Sequence, residues 1–359
     1  MNTAQDIKSI VKRAACAAGF DLAGIAPAAD ARELERFPEW IAAGHAGEMK
    51  YMEARDDRGA LKRASLARVA PWAQSVIVCA INYNTDHPYS TEVRNPERGW
   101  ISRYAWSRED YHDAVLRRLK QVEASLREAV AQVETRSYVD TGPIVERVFA
   151  KYAGVGWIGK NTCIINQQMG SWLFLGVILT SLELQPDLPA PDRCGTCRRC
   201  IEACPTDALL KPYELDSNRC ISYLTIEKRD SIPEPLRAGM GHQIFGCDIC
   251  QDVCPWNRKA PYSAAPELAA REPLVNPALE WLAAMSEEEF RQTFRGSPVR
   301  RARHAGLRRN VAIAMGNSGR QEFLPRLEEM SRDQQDSVAE TALWAMKRLQ
   351  TGGGPLPEK

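Results

Sequence analysis

Apolar positions recur at helical spacing over residues 6–18, and a strand is expected directly behind them at 22–25. The stretch 75–82 is almost continuously apolar and rich in β-branched residues, which predicts a buried strand. Over 110–130 the apolar side chains fall at Ala114, Val115, Leu119, Val122, Leu126 and Val130, one face of a helix, with Arg117, Arg118 and Lys120 on the other. A short strand is expected at 136–139, ending at Asp140, then a helix over 144–152 and a buried strand over 172–181. Strands alternating with helices predict a layered α/β domain over 1–185. Pro186, Pro189 and Pro191 then punctuate the chain and open a second unit, 186–262. Pro261, Pro266, Pro273 and Pro277 mark a looser passage. From 278 to 350 the pattern is all helical. There Leu307-Arg-Arg-Asn-Val-Ala-Ile-Ala-Met315 aligns with Val338-Ala-Glu-Thr-Ala-Leu-Trp-Ala-Met346, an offset on the scale of helical-hairpin repeats. Residues 351–355 read as a flexible tail.

A length of 359 residues suits two to three such domains, and 44% hydrophobic with 26% charged residues excludes wholesale disorder. The net charge is +1, so a nucleic-acid site would have to come from a local cluster. The longest apolar run, 172–180, falls far short of the ~20 residues of a membrane span. Lys12 and Arg13 are not followed by a long apolar stretch, so no export signal is read and a cytoplasmic protein is expected. Eleven cysteines in a reducing compartment point to metal ligation rather than disulfides.

Their spacing carries the chemistry. Cys194, Cys197, Cys200 and Cys204, followed by Pro205, form C-x2-C-x2-C-x3-C-P, the bacterial ferredoxin run. Cys247, Cys250 and Cys254 before Pro255 repeat it one cysteine short, and Cys220 is the nearby cysteine left to complete it. The fourth cysteine of such a run serves the other cluster. Crossed ligation therefore assigns Cys194, Cys197, Cys200 and Cys254 to one [4Fe–4S] cluster and Cys204, Cys220, Cys247 and Cys250 to a second. A pair of four-thiolate zinc sites is the bland alternative, and the doubled ferredoxin spacing argues against it. Core packing is the default for Cys16, Cys79 and Cys163.

Gly154-Val-Gly156-Trp-Ile-Gly159 matches the dinucleotide fingerprint letter for letter, but a helix precedes it and a strand follows, the reverse of the order that chemistry needs. Asp140, in Val139-Asp-Thr-Gly-Pro143, stands at the end of a predicted strand, where α/β folds place ligands. The bland reading makes it the cap of the next helix, with Pro143 in the first turn. Residues 291–309 hold seven arginines and no acid, a pattern fit for a phosphate backbone or for a solvated helix face.

Taken together, several stretches resemble the epoxyqueuosine reductase family over essentially the full length. They are Ile101-Ser-Arg-Tyr-Ala105 with Asp110-Tyr-His112, Val139-Asp-Thr-Gly-Pro143, Gly156-Trp-Ile-Gly-Lys-Asn161, Gly170-Ser-Trp172 and the cysteine groups with displaced Cys220. The resemblance, rather than composition or spacing, implies the fold: a nitroreductase-like α/β cobalamin-binding domain, a ferredoxin-like domain with two [4Fe–4S] clusters and a C-terminal HEAT-like helical domain that helps hold tRNA. The family is related to the cobalamin-dependent reductive dehalogenases. The reaction implied by the same resemblance is reduction of epoxyqueuosine to queuosine at the wobble position of tRNAs with GUN anticodons (those for Tyr, His, Asn and Asp), with electrons from an external low-potential donor. The chain lacks D-x-H-x-x-G, so cobalamin would bind base-off without a histidine ligand. Asp140 matches the family's proton donor. Being protonated at neutral pH asks for a lift from ~3.9 by about 3, a cost of ~4 kcal/mol, which burial against an apolar corrin could supply by desolvating the carboxylate. Arg63, Arg103, Tyr104, Lys160, Asn161, Cys163, Ser171, Trp172 and Ser222 match the corrin-lining region. Lys228, Arg229, Arg300, Arg301, Arg303, Arg308 and Arg309 are the tRNA candidates. A monomer would suffice. The alternatives are a dehalogenase-like reductase of a small molecule, which has no use for the basic helical tail, and a non-catalytic electron carrier, which has no use for so large an α/β region.

Overall fold

The computed structural model describes residues 4–352. In chain order the first part comprises α1 (Ala4–Ala17), β1 (Leu22–Pro27), β2 (Ser75–Asn82), α2 (Tyr111–Ala129), β3 (Thr135–Tyr138), α3 (Glu146–Tyr152) and β4 (Leu173–Thr180). The strands form one sheet in the order β1-β2-β4-β3, and every neighbouring pair is antiparallel. The expected elements therefore form, but no parallel crossover joins them.

All of β2 is buried because both faces of the sheet are covered. Its side chains alternate with the period of a strand. Ile77, Cys79 and Ile81 pack against Val11 and Ala15 of α1 and Val115, Leu119 and Val122 of α2. Val76, Val78 and Ala80 pack against Phe149 and Ala150 of α3. The apolar stripe read along 110–130 is thus the buried face of α2. Asp110 caps that helix by accepting the His112 amide at 3.0 Å. Gly24 lets α3 lie against β1: a Cβ there would come within 1.9 Å of the Ala153 carbonyl oxygen.

The glycine-rich segment after α3 is a hairpin, Trp157–Ile158 pairing with Ile164–Ile165. A helix precedes it and strands follow, so it is not built as a dinucleotide turn. Cys79 is buried as expected, but Cys16 is exposed. The buried face of α1 runs through Ile7, Val11 and Ala15, and Cys16 stands one residue off it.

The later helices include α4 (Ile221–Ile226), α5 (Arg303–Asn317), α6 (Leu324–Met330) and α7 (Asp336–Gln350). The two halves of the internal similarity lie in α5 and α7, which pack together. Gly316 permits this, since a Cβ there would meet Ala345 at 2.8 Å. Their core also takes in Trp100, Ile101 and Trp106, brought over by pairing of Trp100–Ile101 with Gln243–Phe245. Trp100, Ile101, Ala105 and Trp106 therefore pack with the helices, while Arg103 and Tyr104 between them reach the core on the sheet side. Of the expected tail, residues 353–355 lie outside the described part. Among the described residues no helix is long and apolar enough to cross a membrane.

Candidate functional site

A cavity of about 380 Å³ separates the sheet domain from the cysteine-rich region. One wall carries Tyr104, Tyr111, Asp140 and Glu146, and the other carries Cys204, Cys220, Cys247 and Cys250. It continues past Asp140 and Glu146 into a wider cleft of about 940 Å³, whose sides include Tyr51, Arg63, Arg300 and Arg301. Cys194, Cys197, Cys200 and Cys254 ring a separate small space. The two sets of four thiols are those that crossed ligation assigns. Among the described residues no three His, Cys, Asp or Glu side chains converge on a single-ion position; each thiol set rings a space instead.

The hairpin turn 159–163 stands between the two sets. Lys160 Nζ donates to the carbonyls of Gly195 (2.6 Å) and Cys197 (2.8 Å), bracing the first cysteine loop. Asn161 lines both spaces, donates to the Cys250 carbonyl at 3.2 Å and accepts the Cys163 amide at 3.2 Å. Cys163 is not simply core: its side chain meets Cys250 on the cavity wall.

Asp140 has φ +57°, a left-handed conformation that aspartate tolerates better than most residues. It does not cap α3, whose N-cap is Val145 with no side-chain bond. Instead Asp140 Oδ2 accepts the Tyr111 hydroxyl at 2.8 Å and lies 3.6 Å from His112 Nε2. His112 Nδ1 is 2.7 Å from Asp110 Oδ1. The ring is thus held between two carboxylates, both positioned by the start of α2 and the end of β3. The His112 ring close by, against burial and with help from the Tyr111 hydroxyl, holds the Asp140 pKa down at about 2. Burial alone would lower His112, but Asp110 and Asp140 outweigh it and raise the ring to about 9. In the chain without a corrin, therefore, the Asp140 carboxylate is ionised at neutral pH and the proton sits on His112; the expected elevation belongs to the corrin-covered state. Burial, against the pull of its own backbone amide, lifts Glu146 to about 7.

Several residues matched to the corrin-lining region do line the cavities: Tyr104, Asn161, Cys163 and Ser222 on the cluster side, and Arg63 in the cleft. Arg63 donates to the Tyr51 carbonyl at 2.6 Å and the Gly142 carbonyl at 2.9 Å, tying down the Asp140 loop. Arg103, Ser171 and Trp172 are buried behind the wall. The Arg103 guanidinium donates to the carbonyls of Thr85, His87 and Pro88 and lies over the rings of Trp106 and Trp172. Ser171 is bonded to Asn257 and Gln251. These three stand behind the wall rather than form it: none of them lines the cavity or the cleft, and Arg103 Nε and Trp172 Nε1 are buried without a hydrogen-bond partner.

The basic segment divides in the same way. Arg300, Arg301 and Arg303 are exposed, and the first two edge the cleft. Arg301 pairs with Glu227 at 2.5 Å and lies 5.5 Å from the Tyr51 ring centre. Lys228 pairs with Glu48, and Arg308 with Asp333. Arg229 donates to the Arg301 carbonyl at 2.8 Å. Arg309 is fully buried and donates to the carbonyls of Leu224 (2.8 Å), Lys228 (3.0 Å) and Asp230 (2.6 Å), so it is no phosphate ligand. The acids that the segment lacks come from elsewhere in the chain.

Sequence reasoning alone assigns no role to His112, Tyr111 or Glu146. Asp110-Tyr-His112 at a helix start is the available signal for the first two; nothing local marks Glu146.

An epoxyqueuosine reductase of Synechocystis sp. is 43% identical over 80% of this chain and 98% of its own length. That of Escherichia coli is 37% identical over 91% of this chain and 86% of its own. A crystal structure of epoxyqueuosine reductase with a tRNA-Tyr epoxyqueuosine-modified stem loop superposes with a TM-score of 0.87 at 30% identity, covering 97% of this chain and 91% of that one. Fold, thiol sets and acid–base site together define an iron–sulfur oxidoreductase with two cluster positions. Residues 193–257 match the model of a 4Fe-4S double cluster binding domain, and residues 63–141 match that of epoxyqueuosine reductase QueG, DUF1730. The chain belongs to the epoxyqueuosine reductase family.

Proposed function

We propose that this protein reduces epoxyqueuosine to queuosine at the wobble position of tRNAs with GUN anticodons, the last step of queuosine biosynthesis. The observation that carries this reading is the cavity with four cluster thiols on one wall and the Asp140–His112–Tyr111 site on the other. An electron path and a proton source face each other across one space. The reading divides the chain into a nitroreductase-like cobalamin-binding domain (1–185), a ferredoxin-like domain (186–262) and a HEAT-like domain that contacts tRNA (278–350). It places a monomer in the cytoplasm, supplied by an external low-potential one-electron donor.

The cavity suits cobalamin. Apolar Leu173, Leu175, Ile221 and Ile226 flank polar Asn161 and Ser222, a wall able to hold a corrin face and its amides. When bound, cobalamin supplies a strongly reducing cobalt centre. Tyr104, Asn161, Cys163 and Ser222 would hold it. The protein's own task is the proton. Reducing an epoxide to an alkene consumes two electrons and two protons and releases water. His112 stores a proton beside Asp140, and Asp140, set at the edge of the cavity, presents it to the substrate oxygen. Arg300, Arg301 and Arg303, with Arg229 and Lys228 beside them, would meet the tRNA backbone at the mouth of the cleft. A small-molecule reductase would have no use for that rim.

The direct test is Asp140→Asn, assayed by mass spectrometry of an epoxyqueuosine anticodon stem-loop. The variant should keep its iron and its bound cobalamin and lose on the order of 10²-fold or more in turnover. Wild-type turnover in that variant would overturn the role.

A further inference from the structure

Two protons are needed, and the Asp140–His112 pair holds one. A second carboxyl faces the same space. Glu146, the first residue of α3, lines both the cluster-side cavity and the wider cleft. Its Oε1 is buried and has no hydrogen-bond partner. A buried carboxyl oxygen left unbonded is costly when ionised, and the cost falls when the group carries a proton. The position of Glu146 on the cavity wall leaves room for a reacting group to take that proton.

We propose that Glu146 is the second proton carrier of this site, handing its proton to the departing epoxide oxygen. The inference rests on the reductase reading. As the first carbon–oxygen bond breaks, the oxygen takes the proton held by the Asp140–His112 pair. As the second breaks, it takes the proton of Glu146 and leaves as water. Two electrons, delivered singly through the clusters by the low-potential donor, complete the carbon–carbon double bond. Both carriers regain their protons from solvent once the product leaves.

The charged groups that act on Glu146 are Asp140, from the loop before α3, Arg147, next along the helix, and Arg63, from the segment Lys62–Ala64. The cleft it shares also carries Tyr51, His112, Glu227, Arg300 and Arg301. Burial first, and then the Asp140 charge, raise its pKa to about 7, while its own backbone amide, Arg147 and Arg63 pull the other way. A carrier that must be protonated gives a rate that falls as pH rises through that value.

The test uses full-length protein loaded with clusters and cobalamin, the epoxyqueuosine stem-loop and excess low-potential reductant, under single-turnover conditions. Wild type should slow as pH rises through about 7. Glu146→Gln should keep its iron content and hold the stem-loop Kd within about twofold, lose on the order of 10²-fold in rate, and show no fall until about 9, where His112 gives up its proton. Glu146→Asp should recover part of the rate and the lower limb. A readout free of turnover comes from the protein without cobalamin. The infrared difference spectrum across neutral pH should show a bleaching carboxylic acid band in wild type that Glu146→Gln lacks, over and above the band of buried Asp252, raised to about 8 in both proteins. An active wild type with an unaffected Glu146→Gln, or a Glu146→Gln that loses iron or stem-loop binding, overturns this proposal alone. A wild type that binds the stem-loop and converts nothing overturns the reductase reading and this proposal with it.

Discussion

Asp140 and His112 share one proton, and the pH behaviour of the site depends on where it rests. His112 is raised to about 9 and Asp140 lowered to about 2. A raised histidine contributes stability that is complete below its ordinary pKa of ~6.5 and is lost as pH rises through about 9. A depressed aspartate contributes stability present above its ordinary ~3.9 and lost as pH falls through about 2. The two windows overlap from ~4 to ~6.5. Removing the partner on Nδ1 with Asp110→Asn should bring the His112 ring back toward its ordinary value, seen by NMR titration of its Cε1 proton. The loss of thermal stability against wild type should be largest inside that overlap. An unmoved His112 titration would mean that Asp110 does not hold the ring. None of this was legible from Asp140 alone. Pro143 and the strand end made it look like a helix cap, and the upward shift expected of it depends on a corrin covering the carboxyl. What decided the matter was two side chains from the start of α2, twenty-eight and more residues away in sequence, that only the fold brings together. Cys16 failed for a simpler reason: an apolar helical run does not say which of its members lie on the buried stripe.

At the scale of elements the sequence pattern was a better guide, because the buried faces repeat with the period of their backbone. The apolar positions of α2 and the continuous run of β2 were readable for that reason. Strand direction was not, since an antiparallel sheet covered on both faces leaves the same apolar run as a parallel one. Pairing of Trp100–Ile101 with Gln243–Phe245 was equally hidden, being two short segments joined across the chain. The contact of α3 with β1 carries the site's geometry, since α3 begins with Glu146 and comes directly after the Asp140 loop. Gly24 is what permits it: the Ala153 carbonyl occupies the place of a Cβ. Gly24→Ala should therefore cost about 1–3 kcal/mol, read as a lower denaturation midpoint at unchanged slope. It should also slow turnover without removing iron, because α3 is displaced and the cysteine loops are not. A midpoint within error of wild type would show that the two backbones can part at no cost.

For the whole molecule the question is which arginines belong to the fold and which to the substrate. Seven arginines in nineteen residues without an acid looked like one basic surface. Folding splits them, because the compensating groups come from other segments: Glu227 for Arg301, Asp333 for Arg308 and a ring of carbonyls for Arg309. Arg309 joins α5 to the end of α4 and the chain behind it. Arg309→Met strands those carbonyls in a buried place and should cost about 3 kcal/mol or more. Stem-loop binding should weaken only as far as the protein unfolds. Arg300 and Arg303 touch little within the protein, so their alanine variants should change stability by no more than about 0.5 kcal/mol. If these side chains neutralise phosphates, each replacement should weaken stem-loop binding and reduce the slope of log Kd against log salt by about 1. Arg301 stands between these cases. Its pairing with Glu227 must be given up for a phosphate to be gained, so Arg301→Ala should lower the slope by less than Arg300→Ala does. Slopes equal to wild type in all three variants would place the tRNA elsewhere. The rim of the cleft would then be explained by its ion pairs alone.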